Sequence, residues 1–227
     1  MSFELIVFDW DGTLMDSQAR IVDCILAAFA DMGLEPPSRE SAADIIGLGL
    51  DDAMARLRPA ASPAERTALG RHYRRHYLFA NRTRSDLFPG ARDTLERLRE
   101  AGYLLAVATG KSRVGLAKSL AETGLEPLFH ATRCGDETFS KPHPQMLMEL
   151  MDELGVRPGQ TLMVGDTEYD LQMASNAGAC ALAVCYGVHE PGRLLACRPL
   201  ACLESLPEIP RWLERRAERP ASTHPAE

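Results

Sequence analysis

The chain has 227 residues, 45% of them hydrophobic, with 25 lysines and arginines against 32 aspartates and glutamates, for a net charge of −7. This length supports one large core, or a core with a smaller appended domain, and the composition excludes disorder throughout. The acidic balance repels nucleic acid. Aliphatic runs such as Leu104–Ala108 are far shorter than the roughly 20 residues that cross a bilayer, so no membrane span is expected.

Met1 leads directly into Leu5-Ile6-Val7-Phe8, without the basic start, apolar stretch and cleavage site of a secretory signal, so a cytoplasmic location is expected. Six cysteines (Cys24, Cys134, Cys180, Cys185, Cys197 and Cys202) are scattered without a CxxC pair or a histidine cluster. They are expected to be reduced thiols, buried or inert, rather than zinc ligands or a redox motif.

In chain order, Leu5–Phe8 is a strand that runs straight into Asp9-Trp10-Asp11-Gly12-Thr13. From about Met15 to Ser85 the patterns are helical, with Ile21, Cys24, Ile25, Ala28 and Phe29 at helix spacing, then Ile46, Leu50, Met54 and Leu57. Pro36-Pro37 and Pro59–Pro63 interrupt them. Helices follow over 91–101, 113–123 and 146–154, the last two stopped by Gly124 and Gly155. Two further strands, Leu104–Ala108 and Leu162–Val164, exit into Thr109-Gly110-Lys111 and Gly165-Asp166-Thr167. Beyond Val184 a short strand at Leu200–Leu203 and a helix around Ile209–Arg219 are expected.

Strands alternating with helices imply an α/β fold, a doubly wound, Rossmann-like parallel sheet. The three polar exits would then meet beyond the carboxyl ends of the strands, where such sheets bind ligands. The expected organisation is an α/β core from residues 1–14 and 86–219, a small all-helical cap inserted at 15–85, and a flexible tail at 220–227. A cap at that point would stand over the site as a lid; the alternative is a helical layer of one compact domain.

Asp9 and Asp11, at a strand end, suit covalent phosphoryl chemistry. One carboxylate attacks phosphorus while the other protonates the leaving oxygen and later deprotonates water. A carboxylate attacking a phosphate dianion meets like-charge repulsion, which a hard divalent cation such as Mg2+ and positive side chains must offset. Thr109, with the backbone of Gly110 beside it, can bind phosphoryl oxygens, Lys141 can neutralise the nucleophile, and Asp166 and Asp170 can hold the cation. Asp170 could instead cap the helix that follows it.

Taken together, Asp9-Trp10-Asp11-Gly12-Thr13-Leu14, Ala106-Val107-Ala108-Thr109-Gly110, Ser140-Lys141-Pro142 and Val164-Gly165-Asp166-Thr167-Glu168-Tyr169-Asp170 resemble, in order, the motifs of the haloacid-dehalogenase-like hydrolase superfamily. The resemblance implies an Mg2+-dependent phosphatase. Asp9 would be nucleophile and metal ligand, and Asp11 the general acid/base with its backbone carbonyl on the metal. Asp166 would be a metal ligand, Thr109 and Lys141 phosphoryl stabilisers, and Asp170 a support for the metal site. The helical insertion and Ile46-Gly47-Leu48-Gly49-Leu50 look like the phosphoglycolate-phosphatase-like branch, implying a small phosphorylated metabolite as substrate and a monomer or homodimer. Two departures stand out: Trp10 replaces a smaller apolar residue, and Thr109-Gly110-Lys111 replaces the commoner Thr-Asn, leaving Lys111 as an unassigned cation.

A phosphomutase of the same superfamily is the nearest alternative, since it shields the same aspartyl phosphate from water. A dehalogenase is disfavoured by Asp11. A phosphorylation-switched signalling module shares the acidic cluster, threonine and lysine, but is shorter and lacks a cap. Arg71-His72-Tyr73-Arg74-Arg75-His76-Tyr77, with Arg82 and Arg84, is either a solvated helix face or a source of one or two arginines that clamp an anionic leaving group.

Overall fold

The computed structural model describes residues 3–83 and 85–217. Arg84 and the expected tail at 220–227 lie outside the described residues. A six-stranded parallel sheet has the order β5-β4-β1-β6-β7-β8. Its strands are β1 (Leu5–Phe8), β4 (Leu104–Thr109), β5 (Ala131–Cys134), β6 (Thr161–Gly165), β7 (Cys180–Val184) and β8 (Cys202–Leu203). This is the expected α/β, Rossmann-like architecture. Strand β1 is flanked on both sides, with Phe8 level with Val107 on one neighbour and Val164 on the other. That register brings the exits of β1, β4 and β6 to one edge.

Side-chain alternation assigns the two faces of the sheet. Ile6, Phe8, Leu105, Val107, Leu162 and Val164 pack with α5 (Ala91–Glu100), α6 (Arg113–Thr123) and α10 (Glu208–Ala217). Leu5, Val7, Ala106, Ala108 and Met163 pack with α7 (Gln145–Leu154) and α8 (Glu168–Asn176). Burial of both faces is why these strands read as continuous apolar runs. Trp10 lies wholly within the first of these clusters, edge-on to Phe129, so this departure from the usual pattern fills core volume.

Local chemistry sets the helix limits. Ser112 accepts a hydrogen bond from Gly115 N at the start of α6, and Gly124 closes that helix at φ 64°. Gly155 closes α7 in the same way at φ 67°. A short helix α9 (Pro191–Ala196) precedes β8.

Between Asp16 and Asp86 the described chain is helical: α1 (Gln18–Asp31), α2 (Arg39–Asp44), α3 (Leu50–Leu57) and α4 (Pro63–Arg75), continued by a π-helical turn at His76–Ala80. Ile21, Ile25, Phe29, Met54, Leu69 and Tyr77 form an apolar cluster of their own. Arg193 binds both Asp44 and Glu168, and Tyr169 Oη donates to the Asp44 carbonyl at 2.9 Å, which ties the end of α2 to α8 and α9.

The structure corrects several expectations. Met15–Asp16 is a two-residue strand, β2, paired antiparallel with β3 (Asp86–Leu87), in a stretch read as wholly helical. Ile46 lies in the turn after α2 rather than on a helix with Leu50 and Met54, because Gly47 turns the chain at φ 101°. Cys185 and Cys202 form a disulfide instead of remaining thiols. The pairing of β7 with β8 brings their Cα atoms to 6.1 Å, within reach of a disulfide, although they stand 17 residues apart in sequence. Cys24, Cys134, Cys180 and Cys197 are free, the first two buried. No helix among the described residues is long and apolar enough to cross a membrane.

Candidate active site

Asp9, Asp11, Thr109, Lys141, Asp166 and Asp170 are all buried. Asp9 follows β1 directly, and its backbone N–H extends the ladder to the Val164 carbonyl at 2.9 Å, fixing the residue at the sheet edge. Asp9 Oδ1 accepts from Lys141 Nζ at 2.6 Å, while Asp9 Oδ2 is buried without a hydrogen-bond partner. Lys141 Nζ also reaches Asp170 Oδ1 at 2.7 Å, and its side chain has 0% exposure.

Asp170 makes the capping contact that was expected of it and also contacts Lys141. Asp170 Oδ2 accepts from Thr167 N at 3.1 Å and Thr167 Oγ1 at 2.7 Å, in a capping box that starts α8, while Oδ1 holds Lys141. Asp166 accepts from Thr13 Oγ1 at 2.7 Å through Oδ1 and from Val188 N at 2.8 Å through Oδ2. Gly12, at φ 87°, runs so close that a side chain there would collide with the Asp166 carboxylate. Thr13 and Val188 escaped the sequence reading because each acts on Asp166 from a distant part of the chain.

Asp9, Asp166 and Asp170 each offer a carboxylate oxygen, all within 4.8 Å of one another. Lys141 bonds two of these three buried carboxylates, Asp9 and Asp170, so ionising all three would leave excess negative charge in the cluster. Burial pushes the Asp9 carboxyl well above its usual range despite Lys141, and pushes Asp166 up to about 7, with Asp170 adding to the effect. The lysine answers in the opposite sense. Burial alone would lower its pKa, but Asp170 and Asp9 together raise it. The partnerless Asp9 oxygen, the clustered donors and the excess charge fit a hard divalent cation.

The Asp11 carboxylate stands apart from this cluster. It accepts from Lys111 Nζ at 2.6 and 2.8 Å, and Oδ1 also accepts from Ser17 Oγ at 2.5 Å. Lys111 thus gains a contact that the sequence left unassigned. Thr109 ends β4, and its Oγ1 accepts from Lys111 N at 3.2 Å. At Gly110 any side chain would collide with the carbonyls of Gly47 and Leu48, so this glycine admits the α2–α3 connection against the site. Gly49 N donates to Ser140 Oγ at 2.7 Å, anchoring the same connection beside Lys141.

These groups open into a cavity of about 220 Å³. Asp9, Asp11, Thr109, Gly110 and Lys111 line one side, and Ile21, Ile25, Met54, Tyr73, Arg74 and Tyr77 line the other. Within the basic stretch, Arg74 lines the cavity, whereas Arg75, His72 and His76 converge on Asp31. Arg82 is exposed.

Residues 6–184 match the profile of the haloacid dehalogenase-like hydrolase family. The chain belongs to that family. It is 34% identical over 209 residues to a probable phosphatase, IndB, of Dickeya dadantii strain 3937, covering 90% of this chain and 91% of the relative. It is 36% identical over 199 residues to a phosphoglycolate phosphatase of Aliivibrio fischeri, covering 81% and 85%. A crystal structure of a predicted phosphoglycolate phosphatase from Haemophilus somnus 129pt superposes with a TM-score of 0.84 at 28% identity, covering 93% of this chain and 98% of that one. The resemblance to the phosphoglycolate-phosphatase-like branch therefore holds over nearly the whole chain.

Proposed function

We propose that this hydrolase is a cytoplasmic, Mg2+-dependent phosphatase that cleaves a small phosphomonoester through a phosphorylated Asp9. The phosphoglycolate phosphatases among its relatives make phosphoglycolate the default substrate. One observation carries the reading. Asp9 keeps one oxygen on Lys141 and leaves the other without a hydrogen-bond partner, at the wall of a cavity that also contains Asp11.

In this mechanism an Asp9 carboxylate oxygen attacks phosphorus and the bond to the leaving oxygen breaks, with Asp11 giving that oxygen a proton. Water then attacks the phosphorus of phospho-Asp9 and Asp11 takes its proton, releasing inorganic phosphate and restoring the Asp9 carboxylate. Lys141 holds Asp9 in place and offsets charge on the transferring group, and Thr109 and Gly110 border the same space. Asp9, Asp166 and Asp170, with the Asp11 backbone carbonyl, would hold Mg2+, whose charge offsets the repulsion between carboxylate and phosphate. The described helices of residues 18–80 would form a cap over the cavity, with core boundaries at 14 and 86.

Phosphate release from a panel of phosphomonoesters, with and without Mg2+, tests the proposal. Release that requires Mg2+ and disappears in Asp9→Asn is the expected result. Release that persists undiminished in Asp9→Asn would overturn it.

A further inference from the structure

Lys111 is the buried cation that the proposed reaction leaves without a task, and its contacts are specific. Its Nζ donates to both oxygens of Asp11, at 2.6 and 2.8 Å, and to Tyr77 Oη at 2.6 Å. The ammonium also lies 4.5 Å from the centre of the Tyr77 ring. Tyr77 belongs to the π-helical turn that continues α4, a helix irregularity often found at functional sites. Arg20 of α1 fixes that turn by donating to the Tyr77 carbonyl at 2.7 Å, with its guanidinium 4.7 Å from the same ring. Tyr73, one turn earlier, stacks on Tyr77 with ring centres 5.8 Å apart.

A continuous set of contacts therefore runs from the helical segment to Asp11, through Tyr77 and Lys111. Stability alone is a poor reason to keep it. Burying an ion pair costs two desolvations, and an apolar pair of similar volume commonly serves the fold as well. This pair borders the cavity, and the lysine takes both oxygens of the carboxylate that must receive a proton from water. With Ser17 fixing Oδ1 from a second direction, the contacts restrict the plane of that carboxylate.

We propose that Lys111 is a positioning residue that orients Asp11 for hydrolysis of phospho-Asp9, and that Tyr77 makes this orientation depend on the placement of the helical segment. The inference rests on the covalent reading above. It assigns Lys111 to the second half of the reaction, in which Asp11 accepts the proton of the attacking water as the P–O bond to Asp9 breaks.

The test is rapid-quench kinetics with p-nitrophenyl phosphate and Mg2+, reading nitrophenolate release and the fraction of protein trapped as phosphoprotein. This ester's leaving group departs without a proton, so the first step is spared and the second isolated. For Lys111→Met the expected result is a nitrophenolate burst, phosphoprotein accumulating above the native level and kcat down about 100-fold, the scale of a misplaced catalytic group. Lys111→Arg should recover part of the loss. Tyr77→Phe should shift turnover in the same direction by about fivefold, the worth of one hydrogen bond, and carries the test alone if Lys111→Met does not fold. A fall in kcat without phosphoprotein accumulation, or an unchanged kcat, overturns the inference. Asp11→Asn separates the two levels of argument. If it traps phosphate on Asp9 while Lys111→Met and Tyr77→Phe do not, only the role of Lys111 fails; if it traps none, the covalent reading fails and takes this inference with it.

Discussion

Replacing Lys141 by methionine keeps most of the side-chain volume and removes the charge between Asp9 and Asp170. In the native protein the ammonium is fully buried and lies 2.6 and 2.7 Å from those two carboxylates. Deleting one partner of a buried pair costs about 3–5 kcal/mol, because the other partner is left buried and unpaired. The lower end applies here, since burial already favours a proton on Asp9 and the neutral acid escapes part of the penalty. A loss of about 3 kcal/mol in a chain of this size lowers Tm by about 6–12 °C. Thermal unfolding in metal-free buffer measures it, with Lys118→Met as the control, because Lys118 pairs with Glu122 on the surface where such pairs contribute little. Millimolar Mg2+ should raise the Tm of Lys141→Met more than that of the native protein, as a cation replaces the missing charge. Phosphatase turnover should fall about 100- to 1,000-fold. A metal-free Tm within about 2 °C of native would refute the buried-pair reasoning on which the assignment of Lys141 depends.

Thr13→Val should weaken Mg2+ binding about 10- to 100-fold in a calorimetric titration, since the hydroxyl that donates to Asp166 Oδ1 orients the carboxylate proposed to hold the cation. Gly110→Ala should destabilise the fold by about 1–3 kcal/mol in denaturant unfolding, because the new methyl must displace the carbonyls of Gly47 and Leu48. Glu137 is held below the usual carboxylate range by its bidentate contact with Arg113, so its contribution is present above the unfolded pKa and lost as pH falls through the folded one. Unfolding midpoints measured from pH 7 into the acid range should therefore fall less steeply in Glu137→Gln than in the native protein.

The positions that sequence reading located share a physical cause. β1, β4 and β6 are central strands buried on both faces, so they appear as apolar runs, and the polar residue ending each run stands out. Asp9, Thr109 and Asp166 are those residues. β5 was not legible because it is an edge strand whose Thr132 and Arg133 are only half-buried, with Arg133 paired to Glu149 and Glu153. The disulfide depends on strand register and not on spacing along the chain, so the scattered cysteines gave no sign of it. Tyr77 was hidden differently. It sits in a stretch whose most visible property is positive charge, and its value comes from a contact with Lys111, 34 residues away.

Asp170 combines a helix-capping contact with a contact to the buried lysine. Capping α8 occupies one carboxylate oxygen with Thr167, and that bond aims the other oxygen at Lys141. Lys141 in turn holds Asp9. The cap therefore fixes, through two further contacts, the carboxylate proposed to attack phosphorus. Asp170→Asn separates the functions, because an amide oxygen can still accept from Thr167 while the charge opposite Lys141 is lost. Far-ultraviolet circular dichroism should then stay native while Mg2+ affinity and turnover both fall. Loss of helical signal together with activity would instead mean that the cap alone explains the residue, and that its contact with Lys141 is incidental.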